Sequence, residues 1–562
     1  MERYKKKTLI LVTLFLLAII SFEFLFCNAT FVGSILKFDF NISLYTFSWA
    51  RIFLYVLFFI ILFFIKDKII SNRIAYEESI KSKKINFTKI LLGSMFVLTI
   101  IIALILVFII DITIMSVGII SLVLIYLLFL YLFHSNNYKL NILMICSLCF
   151  IYAISTISIH PIDEMIHFSS AYNISQGNFD FNKSYSDSNL DKINGWGNFN
   201  SNKDLHVHYD KDKYRAKEKT ERWPSDASKF LYIPSATGIF ISQLLDGTIM
   251  DTFYFGRIFN AIVLMIGIAI LLKVIPFKIN CFIAVITTPF FLLLGSTYNV
   301  DGIGVIAILI FIAYVLKLYS NKKLKYLTKK NILYLLILMF IIILYKDASY
   351  FFVFGLLFFL RKKISKKYIY ILIPIFIIII YLIYWQMAPQ SMNSGDTRGG
   401  DTNMIEQLSF LLSSPLVFCK VYLMHTLNTF FSPEFYGELN NARFFGDFSN
   451  YLILIYLSYL LYMGFSSDDK PLSIKEKACI FIIAGLIFYF TSTGLYLTYT
   501  PVGNYIIKGY QARYVWPIIP LLLMLLSNKR VKLSNSYKLS FNFSLIITFL
   551  FLYSFLYYQI EI

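Results

Sequence analysis

The chain has 562 residues, 58% hydrophobic and only 15% charged, with a mean hydropathy of +0.70. Soluble domains carry about 45–50% apolar residues, so a soluble globular protein is excluded and a length-based domain count does not apply. The net charge of +19 does not point to nucleic acid, because the basic residues cluster in short loops between apolar runs, the pattern that orients membrane proteins.

Apolar runs of about 20 residues, the length that crosses a bilayer, recur along the sequence. The first follows the basic head "MERYKKK". It is too long, and its cleavage signal too weak, for a signal peptide, and it reads as an uncleaved span. Spans are placed at 8–27, 48–65, 90–110, 113–133 and 140–159, then at 252–272, 279–298, 302–318, 331–345, 349–360 and 368–385. The last four are 450–464, 478–498, 513–527 and 540–557. The expected fold is an all-α polytopic bundle of about 13–15 transmembrane helices. Residues 1–139 read as additional N-terminal helices, 140–530 as the core and 531–562 as a C-terminal helix.

With the N-terminus inside, "KLYSNKKLKYLTKK", "RKKISKK" and "SNKRVKLSNSYK" fall on the cytoplasmic side, as the positive-inside rule requires. Two long segments, 160–251 and 386–449, then face outward; the second holds "APQSMNSGDTRGGDTN", a composition that suits a mobile loop. The six cysteines lie mostly in or beside apolar runs. Cys146 and Cys149 have redox-pair spacing but no second pair, and they read as packing residues. His206 and His208, in "DLHVHYDKDKYR", read as a solvated strand or loop in preference to a metal pair.

On this topology polar groups collect at one membrane face. "HPIDEMIHF" begins the first outer segment, with a short helix over 169–176, Asp163 near its N-cap and Gly177 as its stop. Met165, Ile166, Phe168 and Tyr172 are spaced to lie on the bilayer. Asp163, Glu164 and His167 can share a helix face. They could serve as a base toward a hydroxyl, hold a divalent cation, or form no more than a cap and an interfacial ion pair. Arg257 and Arg513 begin spans at the same depth, as phosphate ligands or as snorkelling anchors. Asp301 in "STYNVDG" is a helix cap or a substrate contact, and Lys346 with Asp347 is a substrate contact or a local pair.

The block Pro161-Ile162-Asp163-Glu164-Met165-Ile166-His167, followed by "FSSAYNISQGNF", resembles the opening loop of a bacterial membrane family, domain of unknown function 2142. "KGYQARYVWPIIPLL" resembles a second block of that family, and "YIPSATG", "FGRIFN", "STYNVDG" and "YKDASYFF" are weaker echoes in the same order. Ile162, Met165 and Ala512 depart from its pattern. The family is grouped with the GT-C superfamily of glycosyltransferases. The resemblance therefore implies a GT-C-like bundle in the cell membrane whose site faces outward, taking a sugar from a polyprenyl-phosphate carrier. The acceptor would be a cell-envelope glycan or glycolipid.

Carried to this sequence, Asp163 would be the base and Glu164 its neighbour, positioning acceptor or metal. Arg513, with Arg257, would hold the carrier phosphate. The full candidate set for substrate or lipid phosphate is His167, Arg257, Asp301, Lys346, Gln511, Arg513 and Tyr514. A divalent cation (Mg or Mn) would sit at Asp163, Glu164 and His167. Rival classes are a transporter or flippase of lipid-linked glycans, a polymerase or ligase, and a non-catalytic scaffold. Broken helices near mid-membrane would favour the first of these.

Overall fold

The computed structural model describes residues 138–156, 163–178, 184–187, 219–222, 229–245, 247, 249–345, 348–364, 400–431, 459–465, 472–526, 544 and 548. The expected spans before residue 138 and at 368–385, and most of those at 450–464 and 540–557, lie outside the described residues. So do Lys346, Asp347, His206, His208 and the Gly/Ser/Asp-rich stretch over 387–399.

The described chain is an all-α membrane protein with one small antiparallel ladder. Helix α1 spans Tyr138–Ser155 and α2 Glu164–Ser175. Strands β1 (Ser184–Asp187) and β2 (Lys219–Arg222) pair with Ser184 opposite Arg222. A 3-10 turn, Lys229–Tyr232, leads into α3 (Ile233–Leu244), and α4 follows over Ile249–Val274. Then come α5 (Ile279–Ile286), α6 (Pro289–Gly295), α7 (Asp301–Ser320), α8 (Lys329–Ile343) and a 3-10 helix over Ala348–Leu360. Helices α9 (Met404–Ser413), α10 (Pro415–Phe431) and α11 (Ile474–Thr498), the 3-10 turn Ala512–Val515 and α12 (Ile519–Leu526) complete the order.

Three of these helices are long and apolar enough to cross a membrane: α4 from Asp251, α7 and α11. Burial ranks them. The most apolar window of α7 is 83% buried, against 50% for α4 and 39% for α11, so α7 is the central post. Its 20 residues give a length of about 30 Å, the thickness of the hydrocarbon layer. Helix α4 packs on α7, α1 and α3, and the 3-10 helix packs on α7 and α11. Exposed apolar side chains such as Ile266 on α4 and Phe481 on α11 suit contact with lipid.

The expected span at 279–298 is not one helix. It divides into α5 and α6 at Thr287-Thr288-Pro289, where Thr288 is extended (φ −63°, ψ 122°). Proline disfavours helical geometry in the residue before it, which is the physical reason for the break. Ser414 before Pro415 does the same between α9 and α10, which bend by 106°. These two helices lie within the segment expected as the second outer loop, and together they are long and apolar enough to form one bent span.

The chain brings its polar ends together. The C-terminus of α1, the N-termini of α2 and α7, the end of α8 and the turn before α12 meet at one end of the bundle, linked by the bonds described below. Near the opposite end, Lys363 reaches the carbonyls of Leu318 and Asn321, each at 2.7 Å, and Lys477 reaches that of Leu525 at 2.8 Å. Acidic groups and buried arginines thus mark one end and lysine-bearing loops the other.

Candidate functional site

Helix α2 starts at Glu164, five residues before the expected start, with Asp163 as its N-cap. Asp163 is left-handed (φ 59°, ψ 9°), and its side chain makes no cap bond. Aspartate tolerates this region better than most residues, and the conformation frees its carboxylate from the helix end. Gly177, at φ 75°, ends the helix as expected. Of the four apolar residues expected on the bilayer, Phe168 and Tyr172 turn inward, while Met165 and Ile166 are half-buried. Phe168 is fully buried and Tyr172 nearly so. Phe168 stands 5.1 Å from Phe253 and 5.0 Å, edge-on, from Tyr298. This aromatic knot fixes α2 against α4 and the turn before α7.

Next to Asp163, Glu164 is committed to structure. Its two oxygens accept from Nε and Nη2 of Arg257 at 2.7 and 2.6 Å, with both side chains at 0% exposure. Arg257 Nη1 donates to the carbonyl of Thr156 at the end of α1. The guanidinium also lies 4.6 Å from the Phe253 ring centre. The two-pronged geometry is what arginine offers a carboxylate. Arg257, expected as a phosphate ligand or a surface anchor, is instead sealed inside as a clamp between α1, α2 and α4.

Arg513 forms a second, partly open pair. From the 3-10 turn Ala512–Val515, Nη2 donates to Asp163 Oδ2 at 3.1 Å and Nη1 lies 3.3 Å from Asp301 Oδ2. Its side chain is 3% exposed, that of Asp301 5%, and that of Asp163 36%. Burial opposes the charge on Arg513, but Asp301, Tyr514 and Asp163 outweigh it and hold its pKa above the ordinary value. Arg513 Nε has no hydrogen-bond partner.

Asp301 starts α7 with its amide on Asn299 Oδ1 at 2.7 Å, and its Oδ1 accepts from Tyr345 Oη at 2.9 Å. Asn260 on α4 steadies the preceding loop through the carbonyls of Thr297 (2.5 Å) and Asn299 (3.3 Å). Tyr345, Asn299 and Asn260 were not among the sequence candidates. Tyr345 precedes the Lys346-Asp347 pair directly, and Asn299 lies within "STYNVDG", so proximity to those motifs was the available signal.

His167 is buried and shares a 2.5 Å hydrogen bond with Tyr232 at the foot of α3. Gln511 is partly buried with Oε1 unpaired. Tyr514 stacks edge-on with Tyr510 at 5.7 Å and lies 5.9 Å from the Arg513 guanidinium. The structure thus joins Asp163, Asp301 and Arg513 in one network and Glu164 with Arg257 in an adjoining one. The cation-binding trio Asp163, Glu164 and His167 is not assembled: Arg257 occupies Glu164, and His167 turns to Tyr232. Among the described residues no group of three or more His, Cys, Asp or Glu could hold a metal ion.

The network lies wholly inside a stretch recognisable by comparison. A family model, "predicted membrane protein (DUF2142)", matches residues 146–522. The chain belongs to the DUF2142 family. That match covers more than half of the chain and includes every residue from Asp163 to Arg513 in the two ion-pair networks. No curated protein and no solved structure matches this DUF2142 chain.

Proposed function

We propose that this DUF2142 protein is an inverting, GT-C type glycosyltransferase of the bacterial cell membrane. It takes a sugar from a polyprenyl-phosphate carrier and passes it to a hydroxyl of a cell-envelope glycan or glycolipid on the extracytoplasmic side. One observation carries the reading. Of the carboxylates in the two networks, Asp163 alone reaches solvent, and it is held in a left-handed conformation against a buried arginine. A backbone kept in a sparsely populated region costs about 1–3 kcal/mol and is typical of sites where geometry matters. The lysine-rich loops near the opposite end support the orientation, because basic loops stay inside.

In the reaction, Asp163 accepts the proton of the acceptor hydroxyl as its oxygen bonds to the anomeric carbon. The bond from that carbon to the phosphate oxygen breaks, and polyprenyl phosphate leaves as an anion that needs no further proton. Arg513 aligns Asp163 and lends positive charge beside the departing phosphate. Glu164 and Arg257 hold the helix start from which Asp163 projects. No step is assigned to a divalent cation, because the residues that would ligate it are otherwise engaged.

The test is transfer by purified Asp163→Asn protein. Asparagine keeps the size of the side chain and also tolerates the left-handed region, but it cannot act as a base. The rate should fall by about 10²–10⁴ while carrier binding persists. Undiminished transfer would remove Asp163 from this role. One observation favours a second reading, a transporter of lipid-linked glycans: the 106° break between α9 and α10 is a feature of transporter sites. That reading expects movement of intact carrier across a bilayer by Asp163→Asn protein, without sugar release.

A further inference from the structure

Helix α10 is joined to α11 by a row of side-chain hydrogen bonds in which each proton has one place. Thr493 donates to the carbonyl of Tyr489 at 2.7 Å, so Tyr422 donates to Thr493 at 2.6 Å. Thr426 donates to the carbonyl of Tyr422 at 2.7 Å, so Tyr489 donates to Thr426 at 3.1 Å. Ser492 donates to the carbonyl of Phe488 at 2.8 Å, which leaves its oxygen to accept from His425 Nε2 at 3.0 Å. A hydroxyl has one proton to give, and a neutral imidazole has one donor and one acceptor. His425 Nδ1 is therefore the acceptor, and no described residue bonds it.

That nitrogen has aromatic surroundings. The half-buried His425 ring stacks on Phe488, with 5.3 Å between ring centres, and meets Tyr510 edge-on at 4.7 Å. Tyr510 stands 5.7 Å from Tyr514, whose ring centre is 5.9 Å from the Arg513 guanidinium. A line of rings thus runs from Arg513 to His425. Gln511, next to Tyr510, has a second unused acceptor, the buried Oε1. Ionisable side chains on membrane helices are costly and mark substrate paths, and His425 sits on the bent α9–α10 pair. Two unused acceptors call for a ligand that donates. Aromatic faces carry negative charge at their centre, which suits the C–H face of a saturated ring. A sugar ring offers both hydroxyls and such a face.

We propose that His425 Nδ1, Gln511 and the Tyr510 ring form a saccharide subsite beside the Asp163–Arg513–Asp301 network. Its occupant is a sugar ring of the acceptor glycan or the sugar head of the donor. The subsite rests on the transferase reading for these two substrates, and it adds the residues that recognise one of them.

The test is binding by the full chain in phosphatidylcholine nanodiscs. One probe is an array of immobilised cell-envelope oligosaccharides; the other is a set of polyprenyl-phosphate hexoses, counted by native mass spectrometry. Glutamine can replace Nε2 but not Nδ1, and asparagine the reverse. His425→Gln should keep its bond to Ser492 and its Tm, while its affinity for the saccharide falls about tenfold. His425→Asn should bind better than His425→Gln despite a lower Tm. A loss on the array identifies the acceptor as the source, and a loss with the hexoses the donor. If His425→Gln is not recovered folded, Tyr510→Leu replaces it and should lose binding that Tyr510→Phe retains. A wild type that binds neither probe, or undiminished binding in His425→Gln, would overturn the subsite. His425-dependent binding by a wild type that transfers no sugar would keep the subsite and remove the transferase reading alone.

Discussion

Asp163 and Glu164 are adjacent in sequence and opposite in circumstance. Glu164 is sealed with Arg257 at 0% exposure, whereas the Asp163 side chain is 36% exposed. Removing one partner of a buried pair leaves the other charge uncompensated at a cost of about 3–5 kcal/mol, while replacing both is often close to neutral. Glu164→Gln and Arg257→Met should therefore each lower Tm sharply, and the Glu164→Gln/Arg257→Met double variant should regain most of the loss. Additive losses would contradict the clamp. At Arg513, lysine keeps the charge but cannot span both Asp163 and Asp301. Arg513→Lys should lower transfer partly, and Arg513→Ala by about ten- to a hundredfold or more. If the guanidinium also holds the carrier phosphate, kinetics varying donor and acceptor separately will show the defect with the donor. None of these pairings was legible from sequence. Depth along the chain placed the charges at one face, but Asp163 and Arg513 are 350 positions apart, and only folding decides which carboxylate meets which arginine.

Among the elements, the sequence was most informative where composition alone decides. The spans expected at 252–272, 302–318 and 478–498 appear as α4, α7 and α11, a few residues longer at their ends. It was least informative where a single proline acts. Pro289 and Pro415 were visible signals, but hydropathy averaged over a span hides a break of one or two residues. The approach of α6 to α7 was equally hidden. A Cβ on Gly302 would collide with the backbone of Gly295, so α7 can start against α6 only as glycine. Gly302→Ala should cost about 1–3 kcal/mol by overpacking, read as a fall in Tm, and should reduce transfer by displacing Asp301. The start of α11 offers a milder test. Ser473 and Glu476 form a capping box, and Ser473→Ala should lower stability by about 1 kcal/mol without touching transfer. A transfer defect in that variant would mean that the two ends of the bundle are coupled.

For the molecule as a whole, the account rests on orientation and on where the carrier binds. Tyr505, 57% exposed, lies in the loop after α11, and Lys322 is exposed in the lysine-rich loop after α7. In a background with the native cysteines replaced, Tyr505→Cys should react with an impermeant maleimide on intact cells and Lys322→Cys only after permeabilisation. The reverse pattern would invert the topology. The most direct test is an experimental structure of the Asp163→Asn protein with a polyprenyl-phosphate sugar bound. The account expects the phosphate within hydrogen-bonding reach of Arg513 and the anomeric carbon facing residue 163, with room for an acceptor hydroxyl between them. A headgroup bound elsewhere, with the Asp163–Arg513–Asp301 network closed and undisturbed, would contradict it.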